Sequence, residues 1–147
     1  MTDRDKERGF SLLEVLIVLS IMGLLITLVG PRLISQLDRS KTTAAQTQIK
    51  TIDTALKTMR IDLGRYPTKE EGLRILVVPP QELGGGEWIG PYLDGELPVD
   101  PWGRPYLYEP PASFTGNPRI GSLGADGEPG GEGPAQDVFV GSPVGGQ

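Results

Sequence analysis

The 147-residue sequence contains no cysteine and no histidine. The first absence excludes disulfides, thiolate zinc sites and cysteine nucleophiles, and the second removes imidazole acid–base chemistry. Positive charge is also in deficit: 14 Lys and Arg face 19 Asp and Glu, a net charge of −5. Phosphate neutralisation needs the opposite balance, so no nucleic-acid partner is expected. Nor does the chain carry a paired acid and base, a nucleophile beside its activator, or a phosphate-cradling loop, so no enzyme is expected. Its 37% hydrophobic content, at the length of about one domain, supports a single modest core. Glycine (21) and proline (14) are plentiful, yet neither occurs from Arg32 to Leu63.

That uneven distribution divides the chain. Residues 1–9 are almost entirely polar, whereas Phe10 to Gly30 has Glu14 as its only charge and is long enough to cross a hydrocarbon core of about 30 Å as a helix. A cleaved secretory signal would have a shorter apolar stretch and a small-residue cleavage site, but this run ends Leu28-Val29-Gly30-Pro31. A membrane anchor fits better. Its orientation does not follow from charge, because Arg4, Lys6 and Arg8 precede the span as closely as Arg32, Arg39 and Lys41 follow it. Glu14 needs a reason, since a carboxylate at a bilayer centre costs about 2.5–3.5 kcal/mol on insertion scales. Either it lies near the headgroups, or it waits for a cation within the membrane.

Beyond the span, Leu33, Leu37, Ala45, Ile49, Ile52, Leu56, Met59 and Leu63 form one apolar stripe at helical spacing. Gly64 supplies the expected stop. A helix from Ser11 to Leu63 would reach about 80 Å, with Gly30-Pro31 as a natural hinge. Thr42, Thr43, Ala44 and Ala45 make a poor coiled-coil seam, so the stripe is expected to pack on the chain's own C-terminal region. There, Thr68 to Glu71 fits a capping box opening a short helix through Leu73 to Leu76. Gly84-Gly85-Gly86 reads as a loop, and Asp100-Pro101-Trp102-Gly103 as a type I turn. Tyr106 to Tyr108, Arg119 to Leu123 and Val138 to Val140 are candidate strands. The fold class is therefore α+β, a long N-terminal helix on a small antiparallel sheet with a loop-rich C-terminal region.

Residues 122–138 hold the remaining chemistry, and they can offer only oxygen. Acidic side chains among glycine-enabled turns suit Ca²⁺, which takes six to eight oxygen ligands. The spacing is not that of an EF-hand, and one Gly-Gly-x-Gly stretch does not make a calcium solenoid. A solvated acidic loop is the competing reading.

Arg8-Gly9-Phe10-Ser11-Leu12-Leu13-Glu14-Val15-Leu16 resembles the processing signal of type IV pilins and pseudopilins. The resemblance narrows with Gly64-Arg65-Tyr66-Pro67-Thr68, Glu71-Gly72-Leu73, Leu97 to Tyr106 and Ser122 to Gly127. In order and spacing these are similar to the major pseudopilins of type II secretion systems, and they extend over nearly the whole chain. The resemblance implies a type IV pilin-like fold with a leader (1–9), a transmembrane helix (10–30), its amphipathic extension (31–64) and a periplasmic globular region (65–147). It implies cleavage between Gly9 and Phe10 by a prepilin peptidase, N-methylation of Phe10, and pairing of Glu14 with a neighbouring subunit's terminal amine. It also implies a calcium site formed by carbonyls of Leu123, Ala125 and Glu128 and carboxylates of Asp126 and Asp137, with Glu132 able to replace or supplement Asp137.

The implied function is a non-enzymatic subunit that polymerises into a periplasmic pseudopilus and drives folded exoproteins through an outer-membrane secretin. Its implied partners are itself, minor pseudopilins, an inner-membrane platform, a cytoplasmic ATPase and the peptidase. The first alternative is a surface type IV pilin for adhesion, motility or DNA uptake. Such pilins usually have a Cys-bounded loop, which this chain lacks. A membrane-anchored calcium-dependent module is the second alternative. In cells carrying the peptidase, the intact mass of the protein is expected to correspond to a chain beginning at methylated Phe10. An uncut mass would overturn the processing reading.

Overall fold

The computed structural model of the chain describes residues 10–80, 86 and 88–141, with the side chains of Pro31, Ile34 and Ser35 excepted. The chain divides into two compact units, Met1–Leu37 and Asp38–Gln147. One helix, α1 (Leu12–Leu63, 52 residues), contributes to both. Helical backbone continues through Gly30 and Pro31, so the proline removes one amide donor without ending the helix.

In the first unit, Leu12–Gly30 has a mean hydropathy of 2.7 and none of it is buried by protein. At 1.5 Å per residue its 19 residues span about 28 Å, matching a hydrocarbon core. Its hydroxyls do not need outside partners: Ser20 Oγ donates to the Leu16 carbonyl and Thr27 Oγ1 to the Gly23 carbonyl, each at 2.8 Å. Back-bonding of this kind keeps polar atoms satisfied where water is absent.

The second unit has its own core. Ala45, Ile49, Ile52, Leu56 and Met59 are fully or almost fully buried on one face of α1, and Ile49 through Met59 join a cluster with Leu73, Leu76, Tyr106, Ile120 and Val138. The buried stripe begins at Ala45, whereas Leu33 and Leu37 in the first unit are 61% and 60% exposed. The helix ends as its last residues require: the Gly64 amide donates to the Arg60 carbonyl at 2.9 Å, and Gly64 takes φ +71. A Cβ would strain that left-handed conformation.

Thr68 and Glu71 form the expected reciprocal bonds, Thr68 N to Glu71 Oε2 (2.8 Å) and Glu71 N to Thr68 Oγ1 (3.2 Å). They close a turn that leads into the expected short helix, which is of 3₁₀ type, Gly72–Leu76. Five residues before the Val78-Pro79-Pro80 breaker leave little length for α-helical pairing. Arg65 clamps the same Glu71 with its two terminal guanidinium nitrogens, Nη1 to Oε2 at 2.6 Å and Nη2 to Oε1 at 2.8 Å. That hydrogen-bonded pairing holds the Glu71 carboxyl below its ordinary range.

Three strands follow: β1 (Leu107–Glu109), β2 (Arg119–Ser122) and β3 (Val138–Val140). They form an antiparallel meander in the order β1-β2-β3, with Tyr108 opposite Ile120 and Ile120 opposite Val140. Three expected boundaries move by one residue, both ends of β1 and the end of β2. Tyr106 lies outside β1, where its buried hydroxyl donates to Gln48 Oε1 on α1, and Leu123 lies outside β2, where the acidic loop starts. The expected Gly84–Gly86 loop falls mostly outside the described residues.

Truncating the centre of the stripe tests this core. Leu56→Ala is expected to destabilise the folded domain by about 2–5 kcal/mol, read as a lowered denaturation midpoint. The exposed Ile61 (82%) serves as control, and Ile61→Ala is expected to change stability by less than about 0.5 kcal/mol.

Candidate functional site

Two places carry the residues singled out in the sequence. The first is the start of α1. Phe10 is 81% exposed, and Glu14 lies in the first helical turn. Together with Val15, Val18 and Leu19 they line one shallow groove, because positions four apart share a helix face. Gly9, the other residue of the expected cleavage site, lies outside the described residues.

The second place is the loop between β2 and β3, and its entry is set by a turn upstream. The Gly103 amide donates to the Asp100 carbonyl at 2.9 Å, as expected for the Asp-Pro-Trp-Gly turn. Asp100 is only 3% exposed. Its Oδ1 accepts from the amides of Trp102 (3.0 Å) and Arg104 (2.8 Å), and its Oδ2 accepts from Ser122 Oγ (2.6 Å). Three donors thus offset the cost of a buried carboxylate. Ser122 Oγ in turn accepts from the Gly124 amide at 3.3 Å. Burial around this cluster, reinforced by the Asp100 charge, pushes the Tyr106 hydroxyl up to about 12.

Leu123, Ala125, Asp126 and Glu128 follow directly. The Leu123 carbonyl accepts from the Gly127 amide (3.3 Å), and Asp126 Oδ1 accepts from the Glu128 amide (3.1 Å). The Ala125 carbonyl is engaged by Arg104 Nη2, while Arg104 Nη1 donates to the Gly124 carbonyl at 3.1 Å. On the far side of the loop, Asp137 Oδ2 accepts from the Gly130 amide (3.0 Å), and the Asp137 amide returns a bond to the Gly130 carbonyl (3.2 Å). The Ala125 amide joins the two sides by donating to the Pro134 carbonyl at 3.0 Å.

The close approach depends on Gly124. With φ +65, it leaves room for the Ala135 and Gln136 carbonyl oxygens, which would lie 2.7 Å from any added Cβ. Glu132 is exposed and precedes a short 3₁₀ turn, Gly133–Ala135.

Among the described residues no three carboxylates converge into a ready-made metal cluster. Asp126 and Asp137 stand on the two sides of one loop, each bonded to a main-chain amide of its own side. Asp137 Oδ1 is buried and has no hydrogen-bond partner, a condition that a hard cation relieves. The chemistry fits oxygen-seeking Ca²⁺. Sequence reasoning did not find Arg104 or the buried Asp100–Ser122 pair. Arg104 stood within a recognised motif, but nothing in the chain order indicated that its guanidinium reaches residues 20 and 21 positions onward.

Comparison with known proteins identifies the family. Residues 32–141 match the family described as type II secretion system (T2SS), protein G, and residues 4–30 match the prokaryotic N-terminal methylation motif. The chain is 39% identical to the type II secretion system core protein G of Pseudomonas aeruginosa over 138 residues, covering 92% of this chain and 95% of that one. It is 37% identical to the protein of the same name from Vibrio cholerae over 139 residues, covering 94% of each. The crystal structure of the major pseudopilin from the type 2 secretion system of enterohaemorrhagic Escherichia coli superposes with a TM-score of 0.55 at 30% identity. The match covers 74% of this chain and 93% of the other. The pilin-like architecture, the methylation motif ahead of an apolar helix and the agreement over most of the sequence place this chain in the type II secretion system protein G family: it is a major pseudopilin, a structural subunit of a type II secretion system.

Proposed function

We propose that this pseudopilin is stored in the inner membrane with its C-terminal region in the periplasm, then assembles into a homopolymeric filament whose growth drives folded exoproteins through an outer-membrane secretin. The observation carrying this reading is the contrast between the two units. None of Leu12–Gly30 is buried by protein, whereas residues from Ala45 onward bury a core of their own. A span that apolar needs lipid or other copies of itself to cover it. In the filament, copies replace lipid.

Processing between Gly9 and Phe10, with N-methylation of Phe10, leaves a terminal amine four residues from Glu14. A neighbouring subunit's amine then supplies the cation that a carboxylate in an apolar medium requires. Assembly calls on a prepilin peptidase, a cytoplasmic ATPase, an inner-membrane platform and minor pseudopilins.

The acidic loop is read as a calcium site. Carboxylates of Asp126 and Asp137 and carbonyls of Leu123 and Glu128 would hold the ion, with Glu132, an exposed carboxylate of the same loop, able to replace or supplement Asp137. The Ala125 carbonyl would share its oxygen with Arg104, which makes it the weakest member of the expected set. Bound calcium supplies positive charge that gathers oxygens where little apolar surface exists to do so.

Deleting the gene is expected to abolish export of several folded exoproteins while surface pili remain, with recovery on re-expression. Lost pili with an unchanged secretome would support the surface-pilin alternative instead. For the loop, replacing calcium with a chelator is expected to lower the melting temperature of the protein, and Asp137→Asn to remove that dependence. Identical melts in calcium and chelator would overturn the metal reading.

A further inference from the structure

We propose that Arg104 is the positioning residue of the acidic loop, a built-in cation that holds the 122–127 arm in place without any metal and leaves only the 128–137 arm for calcium to order. The inference rests on the calcium reading for its second half alone.

Four observations converge on Arg104. Its guanidinium donates to two successive carbonyls, Gly124 and Ala125, a forked contact that suits the planar donor geometry of arginine. It also lies against Gly127: at φ +72, a Cβ added there would be 2.2 Å from Nη1. The backbone of Arg104 is fixed in its own right. Its amide donates to Asp100 Oδ1 at 2.8 Å, and its carbonyl accepts from the Asp100 amide at 2.7 Å. Finally, Asp100 Oδ2 holds Ser122, whose Oγ receives the Gly124 amide. Asp100, Ser122, Gly124 and Arg104 therefore close a ring of hydrogen bonds around the start of the loop.

Among the described residues the other arm has no such anchor. Its bonds run mostly within itself, from Gly130 to Asp137 and back, Ala135 to Glu132 and Gln136 to Gly133. Apart from the strand that follows, its ties to the first arm among the described residues are the Ala125 amide on the Pro134 carbonyl and, at the junction of the arms, the Glu128 amide on Asp126 Oδ1. Asp137 Oδ1 is left buried and unpartnered. Arg104 thus does for one arm what a metal would do for the other, and its charge disfavours a divalent ion on the Ala125 carbonyl it already occupies.

Hydrogen–deuterium exchange on the processed full-length protein in detergent micelles separates the arms. In wild type, amides of 122–127 are expected to exchange equally slowly in calcium and in chelator, while those of 128–137 speed up in chelator. Arg104→Gln is expected to accelerate exchange in 122–127 on the order of tenfold under both conditions, reflecting the loss of charged hydrogen bonds. It is also expected to weaken calcium binding, titrated with calcium chloride. Arg104→Lys, which keeps the charge but not the fork, should recover only part of the protection.

If chelation alone releases 122–127 in wild type, the metal holds that arm and the proposal is overturned; this readout needs no variant to fold. Unchanged exchange of 122–127 in Arg104→Gln overturns it as well. Protection of both arms that ignores calcium in wild type but is lost in 122–127 in Arg104→Gln would retain the Arg104 role and reject the calcium reading.

Discussion

The structure depends on one face of α1 changing partner along its length. From Ala45 to Met59 the face is sealed by the chain's own Leu73, Leu76, Ile120 and Val138. From Leu12 to Gly30 protein covers none of the helix. Burying the first set holds the C-terminal region together without reference to the second, at roughly 1.5–3 kcal/mol for each large aliphatic side chain. The apolar span is therefore free to stay in lipid or to pack against copies of itself, which is the physical requirement for a subunit stored in a membrane and recruited to a filament.

A small sheet of three strands, the longest of four residues, cannot stabilise a long returning loop by itself. The chain meets that shortage with polar devices. Arg65 and Glu71 close the capping turn, and buried Asp100 ties the turn before β1 to the end of β2. Each puts a charge where apolar contact is thin and surrounds it with donors or an opposite charge, which is the condition under which such burial is tolerated. Arg104 extends the same device into the acidic loop.

Calcium, on this view, would complete a loop already half formed. One arm is bonded to the body of the domain and the other mainly to itself, so ligand ordering would be confined to a few residues. An ion that must order fewer residues loses less of its binding free energy to chain entropy.

Much was legible from residue order because it rests on local rules. Apolar spacing along 45–63 marked the buried helix face, Gly64 marked its end, Thr68 and Glu71 their mutual bonds, and Asp100 to Gly103 the turn. Each of these depends on neighbours within a few positions, so the sequence by itself determined the apolar span, the long helix, the stop signals, the three strands to within a residue and the family motifs. Which part of the stripe is buried was decided by tertiary structure, since Leu33 and Ile49 look alike in spacing but only Ile49 meets Leu76 and Ile120 in one core. The same holds for Arg104 and Ser122: periodicity says nothing of contacts between residues about 20 positions apart. Only the folded chain, by bringing the turn at Asp100 against the end of β2, decides that a guanidinium sits among the carbonyls of an acidic loop.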